Sequence, residues 1–474
     1  MPESETELGI AKLSRPEYLR RIYYLIAAFL ALAVISLIPT PTGLPPDGQK
    51  ALGILAFLTI LWVTEAFPLG LTALFGAMLL PVLGIVDPSD SFVGFGSTAL
   101  FFLVGAISFG IAMQKTNLHK RIALNFIKRF GKNSTFLILS VTFLGGLMSW
   151  TMPEHAVAAL LLPVLMGIVQ AGEIGQNKNF GIAIFLTLTY ATSVGSIATL
   201  LGGARNVLAI GILKDLAQES ISFVDWVIAG APISILLMVL TFLVLRFVYP
   251  WGEVNTEEIK KKMKKEITEI GPMSDEEKRA GIIFAIAFIL WVTVGTTIGL
   301  ATVAIGGLIL LIITRTITWR DIEQNMPWGL LFLYGGALTL GRALQETEAV
   351  DFLANNLTGF IGRPLLVMIA FLIMVILISN LMSNSAATAV ILPIAIQTVR
   401  EFGYSPMLAG YLIAMGSAMA FMLPIATPSA AMAYSSGYIE IKDLAKAGII
   451  LSIICTITFI TLGFGWWWLL GHWG

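Results

Sequence analysis

Two short polar interruptions lie inside otherwise apolar sequence, one in each half of the chain, and they match each other. The first, Ser149–Ala156, contains Pro153-Glu154-His155, and the second, Ser379–Ala386, contains Ser383-Asn384-Ser385. In both, the polar triplet begins ten residues before a proline. Polar groups in lipid are costly unless they face protein, water or a solute. The pair therefore predicts two broken hydrophobic segments around a polar site near the middle of a membrane.

The composition places the whole chain in the membrane. Of its 474 residues, 57% are hydrophobic and only 12% are charged, whereas soluble domains carry roughly 25% charged residues. Several apolar windows are shorter than the roughly 20 residues of one straight span, and these cluster around the two polar triplets. We therefore interpret 135–171 and 364–399 as re-entrant hairpins, which leaves about eleven transmembrane helices. The predicted fold class is an all-α polytopic membrane protein.

The distribution of positive charge predicts the topology. A cytoplasmic N-terminus, residues 1–18, followed by a first transmembrane helix at 19–40, places 23 of the 29 Lys and Arg residues on the inside. Residues 1–18 have no small-residue cleavage site of a secretory signal. We therefore expect a multi-pass protein of the cell membrane whose C-terminus is external.

The two halves are copies of each other. Phe102–Ala106 is similar to Leu333–Ala337, and Gln114 and Gln345 in the matching segments are 231 residues apart. The polar triplets repeat at an offset of 230. Because an odd number of crossings separates the copies, they face opposite ways, and the sequence predicts an inverted repeat.

The repeat also predicts the domain boundaries and two further helix breaks. The first copy spans 48–250 and the second spans 280–474, with a cytoplasmic linker at 251–279. Gly202–Asn206 in the first copy corresponds to Ala426–Ala430 in the second, at an offset of 224. Small residues and prolines there should unwind the apolar segments 181–212 and 406–433 partway across the membrane.

Five motifs in fixed order resemble those of the divalent anion/sodium symporter family, which includes di- and tricarboxylate and sulfate carriers. The motifs are Trp62–Pro68, Leu118–Arg121, Gly271–Ser274, Ser383–Ser385 and Pro424–Pro428. The resemblance runs from about residue 48 to the end. It implies a homodimer in which a scaffold domain forms the interface and a transport domain, containing both hairpins, moves like an elevator.

In the second half the resemblance implies a cation site and part of an anion site. The implied Na⁺ ligands are Ser379, Asn384 and the carbonyl groups of Met382 and Ala426. The implied anion contacts are Asn384, Ser385, Thr427 and Pro428. The chemistry is suitable, because neutral oxygens coordinate Na⁺ whereas hydroxyl, amide and helix N-terminal N–H groups bind a carboxylate or sulfate.

The first half departs from the family pattern. Pro153-Glu154-His155 stands where the family has Ser-Asn-Thr, and Gly202–Asn206 stands where it has Gly-Thr-Pro-Pro-Asn. By position, Ser149, Pro153, Glu154 and Gly202 would form a first-half cation site. Glu154, His155, Gly203 and Arg205 are the corresponding candidate anion contacts. Because a lone buried charge costs a few kcal/mol, we expect Glu154 and Arg205 to form an ion pair.

The role of this pair has several interpretations. Glu154 could strengthen a Na⁺ site, or Glu154 and His155 could carry a proton. Alternatively, Arg205 could occupy the Na⁺ position, which leaves one cation site or an exchanger. The pair could also be purely structural, and anion contact by Arg205 or His155 is compatible with each of these.

The sequence therefore predicts a secondary active transporter of small divalent anions, with C4-dicarboxylates as the expected substrates and Na⁺ as the coupling ion. The alternative is a proton-coupled symporter or an anion exchanger, for dicarboxylate or sulfate, that uses Glu154, His155 and Arg205. A membrane-embedded hydrolase is disfavoured because the sequence lacks a His-Glu-x-x-His motif and has three histidines. We expect the small anion, membrane lipid and a second copy of the chain as partners, and no nucleic acid or organic cofactor.

Two other residues are expected to have no role in transport. His119 belongs to a basic cytoplasmic segment and is interpreted as part of a solvated face. Cys455, the single cysteine, is interpreted as a packing residue in the last span.

Overall fold

The structure is a computed structural model that describes residues 15–172 and 177–472. Within these ranges it consists of helices and connecting turns, without β-strands. Most of the polar N-terminal segment 1–18 lies outside the described residues. The α-helices, in chain order, are α1 (Arg15–Leu37), α2 (Pro46–Thr64), α3 (Leu69–Val82), α4 (Thr98–Lys115), α5 (Leu118–Phe130), α6 (Ser134–Met148), α7 (Glu154–Ala171), α8 (Lys178–Gly195), α9 (Ala204–Ile212), α10 (Phe223–Val248), α11 (Thr256–Ile270), α12 (Asp275–Thr293), α13 (Gly295–Ile298), α14 (Leu300–Ile313), α15 (Trp319–Asn325), α16 (Trp328–Glu346), α17 (Ala349–Ile361), α18 (Pro364–Ser379), α19 (Asn384–Glu401), α20 (Pro406–Ser417), α21 (Pro428–Ser435), α22 (Ile441–Thr458) and α23 (Phe464–Leu469).

Several of these helices have the length and apolar character of membrane spans. Five continuous helical segments qualify among the described residues, or six if the bent pair α17–α18 forms one span. They are Glu17–Leu37, Thr98–Lys115, Glu154–Ala171, Phe223–Val248 and Ile441–Leu469. Shorter apolar helices such as α6 and α20 lie among them. The chain is therefore a multi-pass membrane protein, while the number of eleven spans stays a prediction.

Four helix breaks occur where the sequence places polar residues, glycine or proline. The segment 149–153 separates α6 from α7, and 380–383 separates α18 from α19. The predicted unwinding of the two later segments is confirmed: residues 196–203 separate α8 from α9, and 418–427 separate α20 from α21. Proline contributes because it has no backbone N–H and suits the start of a helix.

The backbone conformation repeats between the halves. Asn117 and Glu348 both have left-handed backbones, with φ of 60° and 58°, and are 231 residues apart. Gly84 and Arg315, at the same offset, have φ of 71° and 57°. A non-glycine residue rarely adopts this conformation, so its recurrence supports a true structural duplication.

A second repeated feature was not recognised in the sequence. Trp62-Val63-Thr64 recurs as Trp291-Val292-Thr293. Each tryptophan indole N–H donates to a carbonyl at the start of the next long helix: Trp62 to Leu69 at 3.3 Å and Trp291 to Leu300 at 3.1 Å. The duplication therefore includes the helices that precede the hairpins.

The broken helices of the two halves interlock. Helix α9 of the first half packs against α19 and α20 of the second, and α21 of the second half packs against α7 and α8. Within each half, the break of the hairpin is tied to the break of the following span. The Thr199 hydroxyl donates to the Trp150 carbonyl at 2.7 Å, and the Met422 N–H donates to the Asn380 amide oxygen at 2.8 Å. This arrangement brings all four breaks into one region.

The linker between the two halves shows that one prediction is wrong. Its helix α11 packs on α5 and α7 and covers His119, which is only 7% exposed. The His119 ring Nδ1 lies 2.5 Å from the Met113 carbonyl oxygen. The expectation that His119 is on a solvated face is therefore wrong. Cys455 is fully buried, as expected for a packing residue.

Candidate functional site

The first hairpin break leads directly into an ion pair. Pro153 precedes the first residue of α7, Glu154, and Arg205 is the second residue of α9. Arg205 donates from Nη1 to Glu154 Oε1 at 3.2 Å and from Nη2 to Oε2 at 3.3 Å. Both residues are buried, at 6% and 3% exposure. The predicted pair is thus formed in the two-pronged geometry that binds a carboxylate most strongly.

Two further groups complete the surroundings of Arg205. The Ser196 hydroxyl accepts a hydrogen bond from Arg205 Nη2 and lies 2.9 Å from Glu154 Oε2. Arg205 Nε donates to the Ala414 carbonyl at 3.2 Å. Ala414 belongs to α20, so the guanidinium joins the first half to the second. These contacts replace the water that the guanidinium loses on burial.

The backbone around the ion pair is closely packed at Gly202 and Gly203. A Cβ atom on Gly202 would lie 2.3 Å from the Ser149 carbonyl oxygen and 2.4 Å from that of Ser196. The Glu154 N–H donates to the Gly202 carbonyl at 3.0 Å. A Cβ on Gly203 would lie 3.0 Å from the guanidinium carbon of Arg205. Glycine at both positions allows the hairpin tip and the broken span to meet.

The remaining first-half candidates have defined places. The Ser149 hydroxyl donates to the Gly145 carbonyl at 2.9 Å, so it is used within α6 and its C-terminal turn. His155 follows Glu154 on α7, is half-buried, and lies within electrostatic reach of both Glu154 and Arg205. Its position next to the ion pair is where the family triplet would present its third residue.

The second-half hairpin has two buried side-chain oxygens without hydrogen-bond partners among the described residues, and the broken span of the first half has two of its own, on Ser193 and Asn206. The Ser379 hydroxyl and the Asn384 amide oxygen are buried, and neither has a hydrogen-bond partner in the part of the chain that the structure describes. Buried polar atoms are nearly always paired, and leaving one unpaired costs about 1–3 kcal/mol. Two such oxygens, at the end of α18 and the start of α19, suit the coordination of a small cation.

The other predicted ligands lie in the two second-half breaks or at the helix starts that follow them. Met382 lies in the same break and Ala426 in the break between α20 and α21, and both are buried. Thr427 caps α21 by accepting the Ala430 N–H at 3.1 Å, and Pro428 is the first residue of that helix. Ser385 follows Asn384 and is half-buried. Helix N-termini at Asn384 and Pro428 provide the positive dipole ends that favour an anion.

Three residues of the site were missed by sequence reasoning. They are Ser196, Ala414 and Asn380, which hold Arg205 or connect the two breaks. Ser196 had a signal, since it is a polar residue in a span predicted to unwind. Ala414 acts through its backbone, so its side chain gave none.

The sequence comparison decides the family. Residues 19–473 match the family model described as the sodium:sulfate symporter transmembrane region. The chain belongs to this family. It is the divalent anion/sodium symporter family that the five motifs predicted, and the matched residues include all four helix breaks.

Curated relatives of this symporter cover nearly the whole chain. It is 28% identical over 467 residues to the sodium-dependent dicarboxylate transporter SdcS of Staphylococcus saprophyticus, covering 92% of this chain and 89% of SdcS. It is 29% identical over 485 residues to SdcS of Staphylococcus aureus strain NCTC 8325, covering 95% and 92%. An uncharacterized transporter of Haemophilus influenzae is 28% identical, covering 94% and 97%.

A solved structure supports the fold alone. The crystal structure of the Alcanivorax borkumensis YdaH transporter aligns with a TM-score of 0.58 and covers 97% of this chain and 99% of that chain. Its sequence identity is 16%. The similarity shows that the two chains share a fold over nearly their whole lengths.

Proposed function

We propose that this protein is a Na⁺-coupled symporter of C4-dicarboxylates with one Na⁺ site, located in the second half. The observation that carries the proposal is the pair of buried, unpartnered oxygens on Ser379 and Asn384. The carbonyl groups of Met382 and Ala426 complete the set of neutral ligands. Na⁺ is transported together with the anion and is a co-substrate.

In the first half, the ion pair replaces the cation site. Both Glu154 carboxylate oxygens are engaged by Arg205, and one of them also lies at hydrogen-bond distance from Ser196. A Na⁺ ion at this place would have to displace a guanidinium that has four hydrogen bonds to the protein. Arg205, rather than a bound Na⁺ ion, therefore supplies the positive charge that holds the first hairpin against the broken span.

The anion is proposed to bind between the ion pair of the first half and the Na⁺ site of the second half. The proposed contacts from the second half are Asn384, Ser385, Thr427 and Pro428. Those from the first half are His155, Gly203 and the Nη1 hydrogen of Arg205 that Glu154 does not accept. The name of the curated relatives, sodium-dependent dicarboxylate transporter, favours a dicarboxylate, while the family description includes sulfate. The two carboxylates of a dicarboxylate can contact both halves of the site at once. Sulfate is more compact and spans a shorter distance between the halves.

The assembly and motion of the protein are further parts of the proposal. We infer a homodimer in a lipid membrane, with the N-terminus cytoplasmic, the C-terminus external and both hairpins in a domain that moves like an elevator. The interlocked packing of α9 with α19 and α21 with α7 supports movement of these elements as one unit. Cross-linking that found only monomers across several detergents and lipids would contradict the dimer.

Anion exchange is the second candidate function. The fixed Arg205 charge favours it, because a carrier with a built-in cation depends less on Na⁺. The test is counterflow in proteoliposomes with succinate, citrate and sulfate, each with and without Na⁺. Symport predicts that succinate counterflow requires Na⁺ on both sides. Equal succinate counterflow without Na⁺ would establish exchange, and counterflow of sulfate alone would overturn the substrate class.

A further inference from the structure

Helix α16 is fixed against α3 and the turn at 93–96 by close backbone contacts. A Cβ on Gly70 would lie 2.4 Å from the Gly329 carbonyl oxygen, and one on Gly94 would lie 2.4 Å from the Gly335 carbonyl oxygen. A Cβ on Gly336 would lie 2.7 Å from the Ala73 carbonyl oxygen. Such contacts leave α16 little freedom to move relative to α3.

The opposite side of α16 borders the candidate site. The helix packs against α9, which carries Arg205, and against α19, which carries Ser385. On this side Tyr334 is fully buried, and its phenol oxygen has no hydrogen-bond partner among the described residues. The phenol lies close to the Ser385 hydroxyl and to the backbone of Leu208 on α9, and within electrostatic reach of Arg205.

A buried phenol without a partner needs an explanation. A tyrosine hydroxyl donates one hydrogen bond, and leaving it unpaired in the protein interior costs about 1–3 kcal/mol. Two of the groups near it, the Ser385 hydroxyl and the Arg205 guanidinium, are among those proposed to bind the anion. An anion oxygen placed between them would accept the phenol hydrogen.

We propose that Tyr334 is a substrate-binding residue, which donates a hydrogen bond to one carboxylate of the bound dicarboxylate. The inference rests on the proposed function for the identity of the anion. Because α16 lies outside both hairpins and both broken spans, Tyr334 contacts the anion only while α16 faces the second hairpin. The contact therefore favours substrate binding in one orientation of the carrier over the other.

The chain offers a matched control for testing this role. Tyr411 is also fully buried and its hydroxyl also has no partner among the described residues. It packs between Trp226 and Trp467, with ring centroids 5.5 and 5.8 Å away. The substitution Tyr411→Phe removes the same atom from a comparable environment beside different neighbours.

The experiment measures succinate binding by calorimetry to the purified full-length protein in saturating NaCl. We expect Tyr334→Phe to raise the Kd roughly tenfold, with a succinate-free Tm that differs from wild type no more than that of Tyr411→Phe. The Kd of Tyr411→Phe should equal that of wild type. A Tyr334→Phe Kd within twofold of wild type, or an equal loss in both variants, would overturn the role.

The same experiment separates this inference from the proposed function. If wild-type protein binds sulfate and not succinate, the proposed substrate is wrong. The comparison between the two tyrosine variants is then made with sulfate, and an unchanged sulfate Kd in Tyr334→Phe would overturn the inference on its own.

Discussion

At the scale of single residues, the main feature is a buried pair of opposite charges that the sequence could predict. Glu154 and Arg205 are each too costly to bury alone, and their segments belong to matching breaks of one repeat. Their partners Ser196 and Ala414 could not be predicted, because they depend on how the two halves interlock. Tyr334 was part of a repeated motif, but its sequence environment did not reveal which side of α16 it occupies.

The ion pair leads to a prediction about stability. Glu154→Gln and Arg205→Gln should each lower the free energy of unfolding by about 3–5 kcal/mol, because each leaves the other charge buried without its partner. The double variant should lose less than the two single losses combined. Thermal unfolding of the purified variants measures this.

The control for the buried ion pair is an ion pair on the protein surface. Lys178 and Glu440 are 3.8 Å apart, with side chains that are 73% and 55% exposed. Lys178→Gln should leave Tm nearly unchanged, because exposed ion pairs contribute little. Strictly additive losses in the Glu154 and Arg205 variants would mean that the two charges do not interact.

His119 leads to a prediction about pH. Burial lowers the pKa of its imidazole to about 4, with a smaller contribution in the same direction from Lys120, while the hydrogen bond to Met113 opposes the shift. Since the folded pKa lies below the unfolded value of about 6.5, stability from neutral His119 is present above pH 6.5 and is lost as the pH falls towards 4. The full loss is about 3 kcal/mol.

The measurement is Tm between pH 7.5 and pH 4.5. Wild-type protein should lose Tm in this range, and His119→Gln should lose distinctly less because it has no imidazole to protonate. Identical pH profiles for the two proteins would contradict the assignment.

At the scale of elements, two family motifs that are far apart in sequence form one clamp. Arg121 on α5 donates to both Glu277 carboxylate oxygens at 2.9 Å and to the Gly271 carbonyl at 2.8 Å. The resemblance identified both motifs but not their contact. The clamp holds the linker helix α11 beside α5 and so explains why His119 is covered.

The close meeting of the first hairpin with the broken span gives a prediction at this scale. Gly202→Ala should lower stability by a few kcal/mol, because the added Cβ would meet two backbone oxygens that cannot rotate away. The control is Gly306→Ala in α14, where a Cβ has nothing within 4 Å. Since alanine is the better helix former, this control should keep or raise Tm. An unchanged Tm in Gly202→Ala would show that the hairpin tip and the span are not packed this closely.

At the scale of the whole molecule, the repeat made the helix breaks predictable. Two breaks follow from a polar triplet ten residues before a proline at an offset of 230, and the two later breaks follow from small residues and prolines at an offset of 224. The packing of α9 with the second half and α21 with the first was beyond the sequence, because it depends on the orientation of both copies in three dimensions. The dimer and the elevator motion remain predictions at this scale.

The central claim is that one Na⁺ ion, bound in the second half, drives dicarboxylate transport. The most direct measurement is Na⁺-driven succinate uptake into proteoliposomes as a function of Na⁺ concentration, for wild type and for Asn384→Ala. We expect a hyperbolic, single-site dependence in wild type. Folded Asn384→Ala protein should show no uptake, because an amide shared by the cation and anion sites is gone. A sigmoidal Na⁺ dependence, accumulation of succinate without a Na⁺ gradient, or wild-type uptake by Asn384→Ala would contradict the central claim.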